Sequence, residues 1–136
     1  MEGEQVILLD TCAIIWDALC PSRLSERARK AIVVANAGDG ILFCEISLWE
    51  IAMLIKKRRV VVPIDYLSFV NTVLASNRYV LKGITPGIAD VAVNLPEEAP
   101  ADPADRLIMA TAIVERVTLV TADTHIRRSS LVDIIW

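Results

Sequence analysis

Four carboxylates pose the chemical question in this chain: Asp10 at the end of "VILLD", Glu50 in "SLWE", Asp105 in "DPAD" and Asp123 in "VTAD". Taken singly, each has an ordinary role. Asp10 can cap a helix starting near Thr11. Ser47 and Glu50 match a capping box, in which each side chain satisfies the other's backbone donor. Asp102 fits an N-cap, Pro103 the first helical position and Asp105 the third, where the helix dipole favours a negative charge. Asp123 suits a turn. Taken together, they share a position: Asp10 and Asp123 end apolar runs, while Glu50 and Asp105 open helices. In an open parallel sheet the carboxyl ends of the strands form the binding edge. Four carboxylates gathered there would repel one another and raise one another's pKa values. A hard divalent cation offsets that repulsion, and all-oxygen donors without a His or Cys cluster point to Mg²⁺ or Mn²⁺ rather than zinc. Such an ion makes a bound water nucleophilic and stabilises the leaving oxygen of a phosphodiester. No protein nucleophile is then required, in keeping with a single histidine, no obvious Cys–His pair and no G-x-S-x-G.

The elements that must position these acids follow from the hydrophobic pattern. Val6–Leu9, Ile41–Cys44 and Val117–Val120 are continuous apolar runs of the kind that form strands buried on both faces, and Leu131–Ile135 and Arg78–Leu81 are shorter candidates. Between them lie helical segments. Ser25 caps "ERARKAIVVANA", which ends at Gly38; "SLWEIAMLIKK" starts from Ser47; Asp65 caps "YLSFVNTVLAS"; Thr85 and Pro86 open "TPGIADVAVNL"; and "ADRLIMATAIVER" follows the proline-spaced loop "LPEEAPADP". Strands alternating with helices predict an α/β domain with a mainly parallel sheet. With 136 residues and no internal repeat, a single domain over 1–136 is expected.

Composition narrows the class further. Hydrophobic residues make up 54%, rich enough that a partner or a second copy is expected to cover some apolar surface. No apolar run approaches a membrane span, and Glu2 and Glu4 stand where a signal peptide would carry basic residues. A cytoplasmic protein without membrane contact is expected. Cys12, Cys20 and Cys44 lack metal-type spacing and read as reduced thiols. The net charge of −3 hides basic clusters: Lys56–Arg59, then Arg27, Arg29 and Lys30, then Arg127 and Arg128. These either contact phosphate or are solvated. His125 reads as a surface or capping histidine, and Trp16 and Trp49 as helix-face packing residues.

"VILLDTCAIIW", "ISLWEIAMLIKKRRV", "DPADRLIMATA" and "LVTADTHI", in this order and at these separations, resemble the PIN-domain ribonucleases, and among them the VapC-type toxins of toxin–antitoxin pairs. The likeness runs from about Val6 to the C-terminus. It implies a three-layer α/β/α sandwich with a central parallel sheet of about five strands, and Mg²⁺- or Mn²⁺-dependent endonuclease activity on RNA. By motif, Asp10, Glu50, Asp105 and Asp123 are its metal-binding acids. Asp102 is the helix cap, with contact behind the metal-binding acids or with a second metal ion as its alternative role, and Thr11, Thr121 and Arg106 are groups that orient carboxylates or contact phosphate. The resemblance also implies a homodimer and a cognate antitoxin whose C-terminal segment covers the acidic groove. Cys12 departs from the small or polar residue common beside the first acid.

Three competing readings carry distinct signatures. A PIN scaffold that only binds RNA or protein need not retain four acids. An aspartyl-nucleophile phosphatase wants an acid two residues after the first, where "DTC" places Cys12. A dinucleotide-binding enzyme wants G-x-G-x-x-G after the first strand, and none is present.

Overall fold

The computed structural model describes residues 6–136; Glu2 and Glu4 lie outside them. Five short strands form one sheet: β1 (Ile7–Leu9), β2 (Ile41–Cys44), β3 (Tyr79–Lys82), β4 (Thr118–Val120) and β5 (Ile134–Ile135). Their order is β3-β2-β1-β4-β5, and every pairing is parallel. Among the described residues, seven α-helices and a short 3₁₀ turn (Pro21–Arg23, after α1) connect them: α1 (Thr11–Leu19), α2 (Glu26–Ala37), α3 (Glu45–Lys56), α4 (Tyr66–Ser76), α5 (Pro86–Val93), α6 (Pro103–Glu115) and α7 (Thr124–Arg128). The chain runs outward from β1 to β2 and β3, then returns to β4 on the other side of β1 and continues to β5. The β1/β4 junction is therefore the topological switch point, where ligands of such sheets bind.

Alternation along the strands divides the core into two layers. Ile7, Leu9, Ile41, Phe43 and Val120 pack with Ile14 of α1, Ala28 and Ile32 of α2, Ile51 of α3 and Phe69 of α4. Leu8, Cys44 and Leu119 face the other way, against Ile108, Met109 and Ala112 of α6 and Ile126 of α7. Both faces of the sheet are thus covered by helices, which is why its strands read as unbroken apolar runs. The result is the expected α/β/α sandwich.

Turns fix how the strands deliver their ends. Gly40 has φ +102°, and a Cβ there would lie 2.7 Å from the Arg78 carbonyl oxygen, so only glycine lets β2 enter the sheet beside β3 at this point. Asp10, Ser25, Asp65, Thr85, Asp102 and Asp123 each cap a helix with their side chains.

Two expected boundaries differ from those found. The last strand is confined to Ile134–Ile135, because the chain before it is irregular and Ser130 takes a positive φ of 59°. The third helix does not start at Ser47. β2 runs straight into α3, with Cys44 as its N-cap and no side-chain capping bond, so the Ser47–Glu50 capping box is not formed. Among the described residues, no helix is long and apolar enough to cross a membrane.

Candidate active site

Asp10 leaves the end of β1 beside the end of β4: its backbone N–H donates to the Val120 carbonyl at 3.2 Å. Its carboxylate is buried and held on both oxygens. Oδ1 accepts from the Ala13 N–H at 2.8 Å, and Oδ2 accepts from the Thr121 hydroxyl. Thr121 is itself fully buried and accepts the Asp123 N–H at 3.0 Å, so one side chain ties the first acid to the backbone of the last. Burial pushes the Asp10 carboxyl up to about 6; the bonds from Thr121 and Ala13 pull the other way, while the charges of Asp123 and Glu50 add to the rise.

Glu50 enters from the second turn of α3, one turn later than a capping box would place it. The shift turns Ser47 inward: it is fully buried, and its Oγ meets Thr11 Oγ1 at 2.8 Å. Thr11 donates to Glu50 Oε1. Thr11 has one proton, and it is spent on the carboxylate, so Ser47 must donate to Thr11. A directed chain, Ser47 to Thr11 to Glu50, thus holds the glutamate. Burial raises the Glu50 pKa, the Thr11 bond opposes it, and the charge of Asp102 adds to the rise.

Asp105 lies in the first turn of α6, and Asp102 caps that helix through Oδ1, accepting from Ala104 N–H at 2.8 Å and Asp105 N–H at 3.2 Å. The two aspartates of "DPAD" therefore divide the labour, one ordering backbone and one facing the cleft. Burial, followed by the charges of Asp102, Asp123, Glu50 and Asp10, lifts the Asp105 carboxyl to about 7. Asp123 caps α7, accepting from His125 N–H at 2.8 Å and Ile126 N–H at 3.1 Å through Oδ1 alone.

Asp10, Glu50, Asp105 and Asp123 line a single open cavity of about 290 Å³ together with Thr11, Cys12, Trp16, Leu54 and Ala122. Asp102 and Arg106 are not among its walls. Arg106 turns away and donates to the carbonyls of Ala92, Pro100 and Leu95 at 3.0 to 3.1 Å, clamping the end of α5 and the loop before α6. It orients backbone, not carboxylates or phosphate, because those orphan carbonyls at a helix end match its planar fork. Partial burial and the charges of all four cavity acids push the Cys12 thiol up to about 11. His125 stands outside, its Nε2 3.2 Å from the Glu98 carbonyl oxygen. Trp49 is 59% exposed and does not pack as expected. Among the described residues, no three His, Cys, Asp or Glu side chains converge tightly enough to form a ready-made metal cage.

The PIN domain family model matches residues 7–130, a span that holds all four acids. The chain belongs to the PIN domain family. This PIN domain is 41% identical over 121 residues, 89% of each chain, to Ribonuclease VapC22 of Mycobacterium tuberculosis (strain ATCC 25618 / H37Rv). Among solved structures, it resembles VapBC2 from Rickettsia felis bound to a DNA fragment from its promoter, with TM-score 0.74 and 17% identity over 96% of this chain and 97% of that one. It also resembles DNA-bound VapBC from Salmonella typhimurium, with TM-score 0.70 and 18% identity over 95% and 96%. At those identities the structural likeness is one of fold.

Besides Arg106 and Trp49, sequence reasoning misread Ser47 of this PIN domain. Three positions before an acid it looks like a cap; its distinguishing signal is the absence of any loop between "ILFC" and the helical period that follows.

Proposed function

We propose that this PIN domain is a divalent-metal-dependent endoribonuclease, the toxin of a VapBC-type pair. Asp10, Glu50, Asp105 and Asp123 hold Mg²⁺ or Mn²⁺. The observation that carries the reading is the gathering of these four carboxylates in one cavity at the switch point of the sheet. Their chemistry fits a hard ion: every donor is oxygen, and Asp105 has its pKa driven up by burial, by Asp102 and by the three other acids of the cavity, a repulsion that a cation relieves. The absence of a tight cage is compatible with Mg²⁺, which keeps several waters and takes one or two carboxylates together with substrate phosphate oxygens. When bound, the ion supplies Lewis-acid chemistry, making water nucleophilic and neutralising charge on the phosphodiester.

The protein's own contribution is order. Asp10 is immobilised by Ala13 and Thr121, and Glu50 by Thr11 and Ser47, so two carboxylates keep their orientation without reorganisation. Asp105 and Asp123 close the other side of the cavity. Single-stranded or loop RNA suits so open a site, since its phosphates and bases are accessible. A homodimer and a cognate antitoxin would cover the apolar residues the fold leaves outside, among them Val33, Trp49, Val61, Leu67 and Val93. The similarity to a ribonuclease named VapC22, and to the chains of VapBC complexes, supports both the activity and the partner.

The test is cleavage of a mixed RNA pool by partner-free protein with Mn²⁺, with Mg²⁺ and with EDTA, alongside Asp10→Asn. Cuts that require metal and disappear in the variant support the reading. Metal-independent cutting, or wild-type cutting by Asp10→Asn, refutes it.

A further inference from the structure

Next to the acid cavity lies a second groove, of about 370 Å³, lined by residues of α1, the turn after it, α3 and the segment after α3: Ile15, Leu19, Arg23, Arg59, Val60 and Val61, with Cys12, Trp16 and Leu54 forming part of both walls. The two spaces therefore adjoin along those shared side chains. Their characters are opposite. The acid cavity carries four carboxylates, whereas this groove has an apolar floor, two guanidinium groups and no carboxylate in its lining.

Neither arginine is committed elsewhere among the described residues: no ion pair or side-chain hydrogen bond engages Arg23 or Arg59. Arg23 is nonetheless held in place, its guanidinium carbon 4.3 Å from the centroid of the Trp16 ring. Trp16 in turn is braced by Trp136, with ring centroids 5.8 Å apart. A cation stacked on a braced indole is pre-oriented, so binding through it loses little side-chain entropy.

We infer that this groove is an RNA subsite: it receives the nucleotide adjoining the scissile phosphate, with Arg23 and Arg59 on its phosphate groups and the apolar floor at Trp16 and Leu54 against its base. The inference rests on the ribonuclease reading of the neighbouring cavity. Two features select RNA as the occupant. A chain cut at the acids must continue beyond them, and this groove adjoins their cavity along Cys12, Trp16 and Leu54. A polyanion beside four carboxylates also requires positive charge to offset them, and the arginines supply it at the adjoining wall. An apolar floor under paired guanidinium groups is the arrangement that holds a single-stranded nucleotide irrespective of base identity.

The experiment measures anisotropy of a fluorescein-labelled, mixed-sequence 20-nucleotide single-stranded RNA in EDTA, where no metal-dependent cutting intervenes, across a salt series. Wild type is compared with Arg23→Ala, Arg59→Ala, Arg23→Lys and a control, Arg78→Ala, an exposed residue just before β3 at the opposite end of the sheet from the acids. Loss of either groove arginine is expected to weaken binding on the order of tenfold and to lower the salt slope by about 0.7. Arg23→Lys should retain the slope but not the full affinity, because it keeps the charge and loses the planar stack. Arg78→Ala should match wild type. Circular dichroism of each variant establishes that the exposed substitutions leave the fold intact.

Cleavage of the mixed RNA pool with Mn²⁺, run in parallel, separates the two readings. If wild type cuts and Asp10→Asn does not, while Arg23→Ala and Arg59→Ala bind RNA with wild-type affinity and salt slope, the subsite is overturned, the ribonuclease stands and the groove belongs to a protein segment. If wild type fails to cut, the ribonuclease reading falls and the subsite falls with it.

Discussion

The β1/α1 corner and the first turn of α6 each place an aspartate at the cavity, and they do so in opposite ways. At the corner a single residue has two duties: Asp10 caps α1 and faces the site, with both carboxylate oxygens already accepting hydrogen bonds. In α6 the duties are separate, Asp102 capping the helix and Asp105 facing the cleft. The electrostatics differ accordingly. Asp10 reaches about 6 in spite of bonds that favour its charge, whereas Asp105 reaches about 7 with no hydrogen bond to its carboxylate among the described residues. The corner is a rigid reference point; the α6 acid is held mainly by what binds to it. A site assembled this way uses backbone geometry to fix one carboxylate and, on the metal-site reading proposed above, leaves the other for the ion to order.

Substitutions at the two places should separate these roles. The largest effect belongs to Asp10→Asn, which should lower cleavage by more than the roughly 10–100-fold that loss of a supporting group causes, with the circular dichroism spectrum unchanged. Next comes Thr121→Val. It removes the buried donor to Asp10, and should cost about 1–3 kcal/mol in chemical denaturation and roughly 10–100-fold in Mn²⁺ affinity.

Asp105→Asn should act in opposite directions on metal binding and on stability. A carboxyl whose folded pKa lies above its unfolded value contributes stability that is present below about pH 4 and is lost as pH rises through about 7. Without metal, the variant should therefore be more stable than wild type at pH 8, by about 1–2 kcal/mol once solvent screening at its open side is allowed for, and equal to it near pH 4. Added Mn²⁺ should reverse the order by stabilising the wild type alone. The same protonation sets a pH profile for binding: because ligands must be deprotonated, Mn²⁺ affinity of the wild type should climb between about pH 6 and 7, as Asp10 and Asp105 ionise. An affinity flat across that interval would contradict the electrostatic account. The smallest effect on activity belongs to Asp102→Ala, which should lose about 1 kcal/mol of stability as a missing cap and leave cleavage close to wild type.

The same contrast explains what was legible in the sequence. Asp10, Asp105 and Asp123 follow from local rules, since each stands at a strand end or helix start that apolar runs and capping residues mark. Glu50 did not follow so cleanly. Its "SLWE" satisfies a local pattern that the fold overrides, because β2 passes into α3 without a loop and buries Ser47 against Thr11. Arg106 was misassigned for a related reason: beside an acid it suggests a phosphate ligand, but the carbonyls that claim it belong to α5 and the following loop, up to 14 residues before it. Trp49 shows the limit of periodicity, which identifies an apolar position on a helix and not whether another layer covers it. Short-range chemistry was readable; contacts made between separate elements were not.

The most direct test of the central claim, that these carboxylates work as one divalent-metal site with Asp105 inside it and Asp102 outside, is a Mn²⁺ titration followed by electron paramagnetic resonance. Wild type, Asp105→Asn and Asp102→Asn would be compared at pH 8. The account expects Asp102→Asn, which removes a neighbouring charge but no ligand, to weaken binding far less than Asp105→Asn, which should bind at least about tenfold more weakly. Equal binding by wild type and Asp105→Asn, or loss of binding in Asp102→Asn alone, would contradict it.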